Sequence, residues 1–133
     1  MPESRSVRGP ALVLDEPLSF WGGLDPGTGR IVDVHHPQHG RSVAGTVLVT
    51  AALRGSTSSP SVLAEAVRAG VGPVAVVLAH PDAGVTAASL VVEELYERPL
   101  PVLVRDHPAL AAVHTGDPLE ISDGGLSLHG RRL

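Results

Sequence analysis

The run Gly45-Thr46-Val47-Leu48-Val49-Thr50-Ala51 is β-branched, apolar and uninterrupted, the pattern of a strand buried on both faces. Two further runs, Val74-Ala75-Val76-Val77-Leu78-Ala79 and Leu100-Pro101-Val102-Leu103-Val104, also read as strands. Segments of helical period separate the three. In the first, Val62, Leu63, Ala66 and Val67 share one face, with Glu65 and Arg68 opposite. In the second, Thr86 to Tyr96, the expected inward set is Ala87 or Ala88, Leu90, Val91 and Leu95, with Glu93, Glu94 and Glu97 outward. The order β–α–β–α–β predicts parallel neighbours, right-handed crossovers and helices packed on the sheet.

The flanks read as β structure. Met1 to Arg8 is polar and expected to be flexible, and Ala11-Leu12-Val13-Leu14 fits a strand. Phe20-Trp21-Gly22-Gly23 leads into an Asp25-Pro26-x-x-Gly29 turn, and Ile31-Val32-Asp33-Val34 is expected as the returning strand of a hairpin. Core or lid packing is the plain reading of Phe20 and Trp21; contact with a substrate or partner is the other. Pro108 to Val113 is at most a short helix. Leu119 to Ser122 and Leu126 to Leu128 alternate around Asp123-Gly124-Gly125, a hairpin signature. The expected class is α/β, a small mixed sheet with packed helices and β hairpins, formed as one domain over residues 1–133.

Aromatic residues make up only 2% of the chain, so the core must be built from Val, Leu, Ile and Ala. A net charge of −4 with no basic block argues against nucleic acid and acidic membrane surfaces as partners. The chain has no cysteine, which excludes disulfides, a thiol nucleophile and a cysteine-ligated cluster held by this chain alone. No apolar run approaches the ~20 residues of a membrane span. The N-terminus lacks the apolar region of a signal peptide, so a soluble, cytoplasmic protein is expected.

The chemistry concentrates in Arg54-Gly55-Ser56-Thr57-Ser58-Ser59-Pro60, between the first buried strand and the first helix. Free N–H groups and the helix dipole favour an anion at such a turn. Ser59 suits the N-cap, Pro60 the first helical position, and Gly70 the C-terminal cap. The hydroxyls read equally well as a polar capping loop. No lysine follows for a P-loop, and Gly55-Ser56 lacks the flanks of a nucleophile elbow. Ser56 could accept a proton if Arg54, the helix end and a dry pocket stabilised its anion. Too few polar groups surround the turn to complete that pocket, which points to cover by another chain. His35-His36-Pro37-Gln38-His39-Gly40 is read as a turn rather than a metal site, because Pro37 breaks any helix that would align His35 with His39.

Taken together, Glu16-Pro17-Leu18-Ser19-Phe20-Trp21-Gly22-Gly23-Leu24-Asp25-Pro26, Thr28-Gly29, Ile31, Asp33, His36-Pro37, Gly40, Gly45, Val47-Leu48-Val49 and Arg54-Gly55-Ser56 with Ser58-Ser59 resemble the small subunit of the aconitase X family, the aconitase X swivel domain. The resemblance runs from about Gly9 to Val104 and is loose beyond.

It implies a swivelling β/β/α domain, aconitase/LeuD-like, that closes over a separate large subunit as a heterodimer. That subunit is expected to carry an iron–sulfur cluster or iron, with no cofactor bound by this chain. The implied reaction is that of a hydro-lyase: a proton is removed beside a carboxylate while a hydroxyl leaves as water. The resemblance makes Ser56 the proton acceptor and places Arg54 and Ser58 near the substrate carboxylate, with Gly55 and Thr57 completing the substrate-binding turn. The implied substrates are small hydroxy acids, cis-3-hydroxy-L-proline first and mevalonate 5-phosphate second. A non-catalytic module binding an anionic metabolite is the reading from another class. A neighbouring reading frame for a cysteine-bearing large subunit would discriminate between them.

Overall fold

The computed structural model describes residues 6–54 and 59–133. Seven strands form one mixed sheet in the order β4-β3-β2-β1-β5-β6-β7. They are β1 (Ser6–Val13), β2 (Val47–Thr50), β3 (Ala75–Leu78), β4 (Val102–Val104), β5 (Pro118–Ser122), β6 (Gly125–Leu128) and β7 (Arg131–Arg132). β1 to β4 are mutually parallel, and every residue of β2 and β3 is buried, as their continuous apolar runs require. β5, β6 and β7 continue antiparallel from the other edge of β1.

Successive side chains of the parallel strands point to opposite faces, and each face has its own core. Leu12, Leu48, Val76 and Leu78 pack with Leu63, Ala66 and Val67 of helix α2 (Ser59–Arg68) and with Val85, Ala88 and Val92 of helix α3 (Ala83–Tyr96). Ala11, Val47, Val49, Ala75 and Val77 pack instead with Leu119, Ile121 and Leu126 of the antiparallel half. That half therefore curls back to cover the face without long helices, which gives a β/β/α arrangement. Leu110, from the short helix α4 (His107–Ala111), joins this second core. Arg105 holds the curl in place: its Nη2 donates to Gly124 O at 2.8 Å and its Nε to Leu133 O at 3.3 Å.

The turns follow from local chemistry. Asp123 (φ 52°) and Gly124 (φ 77°) are the two central residues of the β5–β6 hairpin, the type I′ geometry that suits strand twist. His129 and Gly130 repeat it between β6 and β7, at φ 50° and 80°. Helix α2 ends in a Schellman arrangement around Gly70 (φ 81°), with Val71 N–H donating to Ala66 O and Gly70 N–H to Val67 O. Glu65 and Arg68 pair on its exposed face, and the guanidinium hydrogen bonds hold the Glu65 carboxyl below its usual range.

Several expectations need correction. Ser6, Val7 and Arg8 are not part of a flexible end: they are paired with Ser122, Ile121 and Glu120 in β1 and β5. Ile31–Val34 does not form a full hairpin strand; only the isolated bridges Leu24↔Ile31 and Arg30↔Ser42 form there. Helix α3 begins three residues early, at Ala83, because the Asp82 carboxylate caps it by accepting from Val85 N–H at 2.9 Å. Its inward set is Val85, Ala88 and Val92, whereas Leu90 and Leu95 are 63% and 67% exposed.

Candidate functional site

The connections that leave β1, β2 and β3 emerge at the same edge of the sheet, because the three strands are parallel. They supply Leu18 and Phe20, then Leu53 and Arg54, then Asp82. A crevice outside the carboxyl ends of parallel strands is where α/β sheets place ligands. Here a cleft of about 110 Å³ is lined by Phe20, Arg54, Ser59, Pro60, Asp82 and Val85, among others. Arg54 and Ser59 are the described residues on either side of the hydroxyl-rich turn. Gly55, Ser56, Thr57 and Ser58 lie outside the described residues.

Both ends of the turn are tied to one segment. Arg54 N–H donates to Leu18 O at 3.1 Å, and Trp21 N–H donates to Ser59 Oγ at 3.4 Å. Ser59 stands inside α2 as its first residue, with its hydroxyl turned to Trp21 N–H, rather than ahead of the helix as the expected N-cap. Pro60 follows in the first turn. Gly84 lets the two helix starts approach: a Cβ there would stand 3.2 Å from Pro60 Cγ.

That segment runs from Leu18 into α1 (Phe20–Gly23), a single turn with a non-helical interior. Trp21 (φ −71°, ψ 117°) and Gly22 (φ 79°, ψ −16°) have the angles of a type II turn, which asks for glycine at its second central position. This geometry separates the two aromatics. Phe20 is buried in the helix-side core, while Trp21 is 61% exposed.

The histidine turn has a structural job. His36 is buried, accepts from Gln38 N–H through Nδ1 at 3.0 Å, and lies 2.8 Å from Glu16 O through Nε2. With Nδ1 accepting, Nε2 carries the proton and donates to the carbonyl. Gln38 reaches the same strand exit, accepting from Asp15 N–H and donating to Asp15 Oδ2. His36 and Gln38 thus fix the chain between β1 and α1, upstream of Leu18. His35 and His39 are exposed. Sequence reasoning singled out the three histidines but missed this division, since only the fold brings Glu16 to His36. It also missed Asp82, whose signal was an acidic residue just ahead of the helical run.

The sequence pattern of the aconitase X swivel domain matches residues 3–128. The match therefore reaches past Val104 through β5 to the end of β6, farther than the motifs alone extended. A cis-3-hydroxy-L-proline dehydratase of Pseudomonas aeruginosa is 38% identical over 126 residues, covering 93% of this chain and 21% of that enzyme. A phosphomevalonate dehydratase small subunit of Methanothermobacter thermautotrophicus is 49% identical over 70 residues, 53% of each chain. Another such subunit, from Methanocella arvoryzae, is 31% identical over 119 residues, 86% of this chain and 89% of that one. The chain thus spans 21% of the Pseudomonas enzyme's length and 53% of the Methanothermobacter subunit's. Among solved structures, aconitase X of Thermococcus kodakaraensis in its holo-form superposes with a TM-score of 0.79 at 25% identity, covering 93% of this chain and 90% of that one.

Proposed function

The chain belongs to the aconitase X swivel-domain family, and from that membership we propose that it is the small, serine-bearing part of a two-chain hydro-lyase acting on a small hydroxy acid. The observation that carries the proposal is the position of Arg54 and Ser59, the described residues that flank the hydroxyl-rich segment. They line one cleft at the shared exit of three parallel strands, where a swivelling domain could present the segment between them to a substrate held by another chain.

In the proposed reaction Ser56, as its anion, takes the proton from the carbon beside the substrate carboxylate. The electron pair of that C–H bond becomes the carbon–carbon double bond as the neighbouring C–O bond breaks. The departing hydroxide takes a proton from solvent, and Ser56 later returns its own, so that one water is lost overall. Arg54 and Ser58 hold the carboxylate, and Gly55 and Thr57 complete the turn. A serine base needs its anion stabilised, and the Arg54 cation with the α2 N-terminus supports that role. Rigid placement matters as much, because a base displaced by 1 Å can lose on the order of 10²-fold in rate. The Leu18 and Trp21 tethers serve that placement.

The residues of this chain do not fit an iron–sulfur cluster. It has no cysteine, and among the described residues no group of three or more histidines, aspartates or glutamates could hold a metal ion. Any metal centre is assigned to the large chain. No helix among the described residues is long and apolar enough to cross a membrane, in keeping with a proposed cytoplasmic enzyme of small metabolites.

cis-3-Hydroxy-L-proline is the first substrate proposed, supported by similarity to the Pseudomonas dehydratase along 93% of the chain. Mevalonate 5-phosphate is the second, favoured by the 49% identity to a phosphomevalonate dehydratase small subunit over 70 residues. The deciding experiment is co-purification with an aconitase X-type large chain from the same genome, followed by parallel assays on both compounds. Dehydration of one of them by the pair, and of neither by this chain alone, is the expected result. Turnover by the small chain alone would overturn the two-chain reading. A pair that forms but dehydrates neither compound would overturn both proposed substrates.

A further inference from the structure

The lone indole of the chain stands in water beside the candidate site, and its surroundings hold its backbone in place. Phe20, the preceding residue, is buried in the core, and Gly22, the following one, has the positive φ that closes the turn. The Trp21 N–H is bound to Ser59 Oγ, and Ser19 Oγ donates to Trp21 O at 3.1 Å. A type II turn anchored at both sides thus presents a large apolar ring that is 61% exposed. Fixed aromatic groups of this kind are the commonest anchors of protein interfaces, because little conformational entropy is lost when they dock.

The cleft lined by Phe20 and Ser59, the neighbours of Trp21 in chain and in hydrogen bonding, is too small to enclose a ligand by itself. Its 110 Å³ compares with roughly 300–1,000 Å³ for ordinary small-molecule pockets. A substrate held at this cleft would need a second surface over the exits of β1, β2 and β3, beside the Trp21 turn. We propose that the Trp21 indole is the anchor on which the large chain of the enzyme seats. The inference rests on the two-chain reading above and names the contact that joins the chains. The anchor lies beside the candidate site, since Leu18 O accepts from Arg54 N–H and Ser59 Oγ from Trp21 N–H.

Because the chain has one tryptophan, 5-fluorotryptophan gives it a single ¹⁹F resonance. The labelled chain is titrated with unlabelled large chain, and assembly is measured independently by calorimetry for wild type, Trp21→Ala and Trp21→Phe. The expected results are a shifted resonance on assembly without substrate, a Kd raised at least tenfold by Trp21→Ala, and partial recovery with Trp21→Phe. Far-UV circular dichroism and thermal melting of each variant identify any loss of folding. A complex that forms with the resonance unmoved and the Trp21→Ala affinity unchanged overturns the proposal while leaving the two-chain reading intact. So does a resonance that moves only when hydroxy acid is added, with KM raised and the chain–chain Kd unchanged, since the indole would then contact substrate. If wild type and large chain form no complex, the two-chain reading fails and this inference with it.

Discussion

Two residues show how differently a single position can matter here. Ser56 carries the proposed chemistry, so its loss is expected to be felt in rate. For Ser56→Ala in the assembled enzyme, turnover is expected to fall by about 10²–10⁴-fold, the usual contribution of a positioned proton-transfer group, with assembly affinity retained. Near-normal turnover in a parallel rate assay would remove Ser56 from its role. Gly29 is the opposite case. Its φ is 77°, and a Cβ built on it would stand 2.2 Å from Val71 O, a backbone atom that cannot rotate away. Gly29 N–H is also bound to Asp25 O, and Gly29 O accepts from Val43 N–H, which fixes it in the loop from both sides. Gly29→Ala should therefore lower unfolding stability by at least about 2 kcal/mol, read as the shift of a urea midpoint at unchanged slope. The motif Asp25-Pro26-x-x-Gly29 announced a turn in the sequence. The approach of Val71, forty-two residues on, could not be read there.

At the scale of elements, legibility followed the strength of the periodic signal. β2, β3 and α2 were readable because Val47-Leu48-Val49 and Ala75–Leu78 are uninterrupted apolar runs, and because Glu65 and Arg68 mark the outer face of α2. Helix α3 carries apolar residues all the way round, so its phase was open, and Leu90, Val91 and Leu95 were assigned inward. Two facts of the fold decide otherwise. The Asp82 cap starts the helix at Ala83, and the tight contact of Gly84 with Pro60 of α2 turns Val85, Ala88 and Val92 toward the sheet. Short side chains on that face allow the close helix–helix approach, and the larger ones are left outside. Paired substitutions test this phase. Val92→Ala should cost about 1–3 kcal/mol, because it leaves a cavity at a fully buried position. Leu95→Ala, at a 67% exposed position, should stay within about 0.5 kcal/mol. The reverse order of midpoints in denaturant titrations would restore the original phase. The strand and helix that flank the hydroxyl-rich segment, β2 and α2, were legible from their apolar patterns. The ties of Arg54 to Leu18 and of Ser59 to Trp21 were not, because those partners lie more than thirty residues upstream.

The whole molecule is held together by its antiparallel half as much as by its helices. The strand-to-helix unit from Val47 to Val104 supplies the site, and taken alone it would leave one face of the parallel sheet bare. Val47, Val49, Ala75 and Val77 on that face are each at most 1% exposed, and the residues packed on them include Leu119, Ile121 and Leu126. A chain ending after Val104 would open that core to water and would also lose β5, the partner of β1 over Ser6–Pro10. Losing each large side chain of such a core costs on the order of 2–5 kcal/mol. Three such losses together exceed much of the ~5–15 kcal/mol that holds a typical domain folded. The truncated chain is therefore expected to give no cooperative thermal transition by circular dichroism and to bind a hydrophobic dye, whereas the full chain melts in one step. A sharp melt by the truncated chain would mean that the helical layer and parallel strands suffice. The antiparallel half would then be an appendage, and the parallel half with its Leu18–Trp21 segment would hold Arg54 and Ser59 in place without it.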